Sequence, residues 1–117
     1  PKHREKEYVC GEYTGGKCAK NSGGVERFKN GRHGKDVINA GIVGYLQTDS
    51  PKHWHQKVNE WIKEQVTSPS DSKLTWKDKD ALSLDSQTGT FSEYSSLSYR
   101  IFGDEIQLKH FWIDISK

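Results

Sequence analysis

Methionine is absent from this chain of 117 residues, cysteine occurs twice and proline three times. Two cysteines are too few for a scaffold held by several bridges in place of a core. Neither Cys-x-x-Cys nor His-Glu-x-x-His occurs, which removes the common zinc signatures, and there is no P-loop or dinucleotide-binding glycine fingerprint. Long apolar runs are missing too. The longest, Val37 to Leu46, is interrupted by Asn39, Gly41 and Gly44, far short of the roughly 20 residues of a membrane-spanning helix. No internal repeat is visible, and the length suits a single domain over residues 1–117.

What is present is polar yet aromatic. Hydrophobic residues make up 32% and charged residues 29%, and the mean hydropathy is -0.92. Four Trp, five Tyr and four Phe argue against disorder, because each ring can bury roughly 150–250 Å². A folded domain with a small core follows. Residues 1–36 hold nine Lys or Arg against five Asp or Glu, and residues 37–117 hold nine against eleven. A basic front half suits either a polyanion or an ordinary solvated lysine-rich surface. The pair Cys10 and Cys18 suits a disulfide formed in an oxidising compartment. Together with Pro1 in place of Met, it sets the expectation of a trimmed, secreted product.

Nine of the eleven glycines precede residue 45. Glu7–Tyr13 and Lys17–Ala19 read as a hairpin turning at Gly15-Gly16, which a Cys10–Cys18 bridge would clamp. Residues 20–35 read as loop. Asp36 is a reasonable N-cap for a helix over Val37–Gln47, ended by Thr48-Asp49-Ser50-Pro51. Trp54, Val58, Trp61 and Ile62 then have helical spacing, so Trp54–Val66 is expected as a second helix. After a loop at 67–72, the segments Leu74–Trp76, Ala81–Leu84, Tyr94–Phe102 and Gln107–Ile115 read as strands, with Gly103-Asp104-Glu105 as a turn. The fold class is α+β.

Metal binding by His53, His55, Cys10 and Cys18 lacks the spacing of a zinc site, and two surface imidazoles flanking a packed Trp54 is the plainer account. No cofactor is expected. Acid–base groups remain: His53, His55, His110, Glu60, Glu93 and Arg100. RNA cleavage by transphosphorylation needs a base for the 2′-hydroxyl, a cation for the phosphate and an acid for the leaving oxygen. Residue types alone do not select that reaction. Trp54, Trp61, Trp76 and Trp112 suit core packing, with room for one to stack a base.

Order along the chain adds a likeness. Tyr8-Val9-Cys10-Gly11, then Asp36-Val37 through Ala40 to Gly44-Tyr45-x-Gln47, resembles the opening of the small guanyl-specific fungal ribonucleases. Pro51-Lys52-His53-Trp54 with Asn59-Glu60 is similar, with an offset, to that family's Pro-His-x-Tyr-Asn-Asn segment. Thr75-Trp76 falls where a Glu-Trp pair is expected. Phe91, nine residues before Arg100-Ile101-Phe102, and then Gln107-Leu108 continue the match.

The resemblance implies an N-terminal β-hairpin and one main α-helix packed on a twisted antiparallel β-sheet, in the microbial ribonuclease manner. It also implies that the catalytic set is gone. Arg100 stands at the phosphate-binding position and His53 near the first histidine, but Thr75 replaces the glutamate base and Asp114 the histidine acid. A hydroxyl cannot take the proton, and an ordinary Asp at neutral pH has none to give. Missing catalytic groups in such a chain resemble the ribonuclease-like effectors that powdery-mildew fungi secrete into plant cells. The family's C-terminal cysteine, which pairs with the first, is absent here.

The implied function is therefore a secreted, catalytically inactive effector that acts in the host cell. Its partners would be a host protein or an intracellular immune receptor, with RNA as a further ligand, no membrane, and a monomeric state. His53, Trp54, Thr75, Arg100 and Asp114 would line its binding groove. The alternative is an active ribonuclease using His53 or Glu60 as base, Arg100 for phosphate and His110 as acid.

Overall fold

The computed structural model describes residues 4–14, 17–20 and 23–116, without the side chains of residues 4 and 12–20. A 3-10 helix, Arg4–Tyr8, leads into β1 (Glu12–Thr14) and β2 (Lys17–Lys20), which pair antiparallel. The expected hairpin is present with shorter arms; its Gly15-Gly16 turn lies outside the described residues. Helix α1 (Gly24–Lys29) falls inside the stretch expected as loop. It is anchored rather than intrinsically strong: the buried Glu26 carboxylate accepts from the backbone N–H groups of Gly11 and Gly23.

The helix expected over Val37–Gln47 is instead strand β3, Asn39–Leu46. Ile42, Val43 and Tyr45 favour extended backbone, and two glycines weaken a helix. Ala40, Ile42, Gly44 and Leu46 face inward while Val43 and Tyr45 face solvent, which is the period of a strand. The chain then turns at Thr48-Asp49. Ser50, expected in a helix stop, begins one: its Oγ accepts from His53 N at 3.1 Å and Pro51 takes the first helical position. Helix α2, Pro51–Thr67, matches the expected second helix and is the main helix of the fold.

Leu74–Trp76 forms no strand; its buried Leu74 and Trp76 pack under a chain that pairs with no neighbour. A 3-10 turn at Asp78–Asp80 precedes β4 (Ser83–Thr88), β5 (Phe91–Tyr99) and β6 (Glu105–Asp114). The sheet order is β3-β6-β5-β4. β6 pairs antiparallel with β5 but parallel with β3, so the sheet is mixed rather than antiparallel throughout. The parallel pair follows from geometry: α2 carries the chain back across the sheet between its first strand and the rest.

Even-numbered residues of the central strands form the inner face, with Tyr94, Ile106, Leu108, His110 and Trp112 almost wholly buried. Helix α2 lays Val58 and Ile62 on that face, with His55 against the Tyr94 ring at 4.7 Å. Asn59 ties α2 to the entry of β4, accepting from Leu82 N at 2.8 Å and donating to Leu82 O at 3.1 Å.

One ion pair is fully enclosed. Lys29 Nζ meets Asp80 Oδ1 at 2.9 Å, donates to the Thr75 and Tyr99 carbonyls and sits 4.6 Å from the Trp76 ring centre. Asp80 also accepts from Lys77 N and Ser98 Oγ, so every charge there has partners. Burial pushes the Lys29 ammonium below its ordinary range, and the adjacent Asp80 carboxylate opposes that.

The Cys10–Cys18 bridge is not formed. Cys10 sits in the bend before β1, outside the hairpin, while Cys18 pairs with Tyr13 in the ladder. Cys10 is a free, buried thiol touched by Gln65 Nε2 at 3.8 Å; the Cys18 side chain lies outside the described residues. Burial, with the Glu26 carboxylate adding to it, pushes the Cys10 thiol up to about 11.

Candidate functional site

Four elements meet around a cleft of about 410 Å³. The first 3-10 helix supplies Glu5 and Tyr8, the end of β3 supplies Gly44 to Leu46, and α2 supplies Trp54, Val58 and Trp61. Positions 54, 58 and 61 lie on one helical stripe, which is why both indoles face the same side. Trp112 of β6 forms the back wall, reached past Gly44, where a Cβ would sit 3.1 Å from its Cδ1. A glycine here leaves the indole free to come this close to β3, since a Cβ would press it away by a few tenths of an ångström.

The indole and phenol groups at the back are spoken for. Trp112 Nε1 donates to the Tyr8 hydroxyl at 3.1 Å, and that hydroxyl lies 2.5 Å from His110 Nδ1. Tyr8 accepts from Trp112 and has its own proton to give to Nδ1; in that tautomer Nε2–H of His110 donates to Ser96 Oγ at 2.9 Å. Sealed in this chain, His110 is a neutral imidazole, its pKa lowered to about 4 by burial. Burial likewise pushes the Tyr8 phenol well above its usual range. Trp54 Nε1 donates to the Thr48 carbonyl at 2.6 Å. Among the described residues lining the cleft, the charged side chain is Glu5; no described Lys, Arg, His or Cys joins it. Aromatic walls with one carboxylate can enclose a flat, apolar or cationic group, but they hold no acid–base pair.

Of the five residues expected in a groove, only Trp54 lines this cleft. His53, next to it, turns outward, half-exposed, 3.8 Å from Asp49. Thr75 is exposed in the segment before β4, where its carbonyl holds Lys29. Arg100 is buried just beyond β5: Nε and Nη2 grip the two Asp104 oxygens, and Nη1 donates to Gly34 O at 2.7 Å. It serves as a structural ion pair, and those hydrogen bonds raise its pKa further. Asp114 is buried at the far end of β6, where it accepts from Ser116 N and Oγ. The nine-residue ladder of β5 against β6 lies between Arg100 and Asp114, roughly 30 Å of strand. Arg100, Thr75 and Asp114 therefore do not share one concave face.

The alternative catalytic set is no closer together. Glu60 is solvent-exposed on α2 beside Lys57 at 3.7 Å, and His110 is beyond reach of any substrate. His55 does not approach a metal partner either, since Nε2 donates to Leu82 O at 2.7 Å. Among the described residues, no three His, Cys, Asp or Glu side chains are grouped to hold a metal ion, and no helix is long and apolar enough to cross a membrane. Tyr8 and Tyr45 were not expected at a site, and Trp61 and Trp112 only as core residues of which one could stack a base. Trp54, Val58 and Trp61 at helical spacing were the available signal, since that spacing sets both indoles on one face of α2. No family model, no curated protein and no solved structure matches this chain.

Proposed function

We propose that this chain is a non-catalytic recognition protein of the ribonuclease-like effector kind, secreted and acting in a host cell by engaging a target through the aromatic cleft. The observation that carries the reading is the state of its proton-transfer groups. His110 is locked between Tyr8 and Ser96, Arg100 is held by Asp104, and among the described residues the aromatic cleft offers one carboxylate, Glu5, with no second proton-transfer group beside it. A host protein or immune receptor offering an apolar or cationic side chain suits such walls, and an unstacked RNA base is the second candidate ligand. The likeness to a ribonuclease scaffold rests on the N-terminal hairpin and one main helix against a sheet. Strand β3, ahead of the helix and parallel to β6, departs from that pattern.

The test uses a fluorescent RNA oligonucleotide and a plant leaf extract. The oligonucleotide stays intact, and the protein captures a host protein that Trp54→Ala with Trp61→Ala, folded by circular dichroism, does not. Cleavage that His110→Ala abolishes, or equal capture by the double variant, refutes the reading.

A further inference from the structure

The charge of the aromatic cleft and the state of its polar atoms select among the groups its walls can hold. At the back, the rings of Tyr8 and Trp112 stand 82° apart with centroids at 6.0 Å, so they form a corner. Trp54 and Trp61 line it from α2, half-buried, with part of each side chain still open. The polar atoms of these walls are already engaged. Trp112 Nε1 donates to the Tyr8 hydroxyl, that hydroxyl meets His110 Nδ1, and Trp54 Nε1 donates to the Thr48 carbonyl. What remains for a ligand at the back is ring face. Glu5 is exposed and is the one charged group among the described lining residues. Cations on the same two helices are held elsewhere: Lys6 Nζ lies 3.8 Å from Glu64 and Lys57 Nζ 3.7 Å from Glu60, and neither lines the cleft.

Each class of guest fares differently against these walls. A phosphate or carboxylate meets a like charge and no cation. A primary ammonium or a guanidinium gives up water from several N–H groups and finds ring faces where it needs acceptors. The polar edge of a nucleobase has the same difficulty. An aliphatic group fits the rings but leaves the carboxylate without a role. A quaternary ammonium carries positive charge without any N–H group, is drawn to ring faces by their quadrupoles, and gains from a carboxylate without needing to touch it. The cleft volume of about 410 Å³ lies in the range of sites that enclose a small ligand or the end of a long side chain. We propose that the cleft takes a trimethylated lysine of the partner protein, its quaternary head among the rings of Tyr8, Trp54, Trp61 and Trp112 and its charge balanced by Glu5. This occupant presupposes that the cleft is the recognition surface, and it adds the modification that the partner must carry.

Isothermal titration calorimetry with three versions of one glycine-flanked lysine peptide reads the choice: trimethylated, unmethylated, and carrying a neutral tert-butyl group in place of the quaternary nitrogen. The trimethylated peptide should bind about tenfold more tightly than either of the others. Glu5→Gln should weaken it a few-fold, and rising salt should close that gap. Trp54→Phe keeps an apolar ring with a weaker pull on a cation, so it should lower the affinity for the trimethylated peptide and leave that for the tert-butyl peptide unchanged. Both variants should fold by circular dichroism. Vesicles of phosphatidylcholine, which present the same head on a lipid, should not co-sediment the protein. Equal affinity for the tert-butyl peptide, tighter binding of the unmethylated one, no binding of any of the three, or capture by the vesicles overturns the proposal. Host-protein capture that still depends on Trp54 and Trp61 would then keep the cleft as a recognition surface for another group. Loss of that dependence as well would remove the reading on which this occupant rests.

Discussion

Lowering the pH from 7 toward 4 asks His110 to accept a proton where no water reaches it. The ring is wholly buried and its two nitrogens are already committed to Tyr8 and Ser96. A second ring proton would face the Tyr8 hydroxyl, which already accepts from Trp112, leaving two donors aimed at one oxygen. The unfolded chain binds that proton near 6.5 and the folded chain only near about 4, so the unfolded state holds more protons throughout that window. Stability is complete above 6.5 and falls as pH drops toward 4. At roughly 1.4 kcal/mol per pH unit, the loss is about 3 kcal/mol. Urea unfolding of the native protein and of His110→Gln, measured at half-unit steps, isolates this contribution, because subtraction cancels the carboxylates common to both. Gln keeps a donor and an acceptor but does not titrate. The stability difference should therefore shrink by about 3 kcal/mol between pH 7 and 4; a difference constant to within about 1 kcal/mol would refute the argument.

Lys29→Met leaves the Asp80 carboxylate buried without its cation and should cost about 3–5 kcal/mol in urea unfolding, with Asp80→Asn added to it recovering part. Arg100→Ala should lower the melting temperature while leaving any affinity for RNA oligonucleotides unchanged, because its guanidinium is engaged by Asp104 and Gly34; a selective loss of RNA binding would show that it faces a ligand. Gly44→Ala should cost about 1–3 kcal/mol and alter the tryptophan emission, as the new methyl crowds Trp112. An unchanged spectrum would contradict the cleft geometry.

The parts of the fold that were readable from sequence are those whose pattern is local. Trp54, Val58, Trp61 and Ile62 announce α2 by their spacing, and the alternation from Leu108 to Asp114 announces β6. β3 was not readable because its strand character depends on a partner almost seventy residues later, Asn39 against Gln107 through Leu46 against Asp114. Its glycines and small residues fit a close-packed helix equally well until that partner is known. The site followed the same rule. Trp54 was identified as a groove residue, but Tyr8 and Trp112 join it only because distant segments fold together. Arg100, Thr75 and Asp114 are chemically plausible groove residues, but Asp114 lies at the opposite end of the sheet from Arg100 and Thr75, which no spacing reveals.

The unpaired thiol of Cys10 has a practical consequence. The chain beside it is pressed against Gly23, where a Cβ would lie 2.4 Å from the Cys10 carbonyl carbon, so a reagent reaches the sulfur only when the N-terminal segment lifts away. Alkylation kinetics in native buffer would therefore time that lifting. A rate matching a small-molecule thiol would mean the segment spends most of its time detached; a rate slowed many-fold would mark it as part of the cooperative unit.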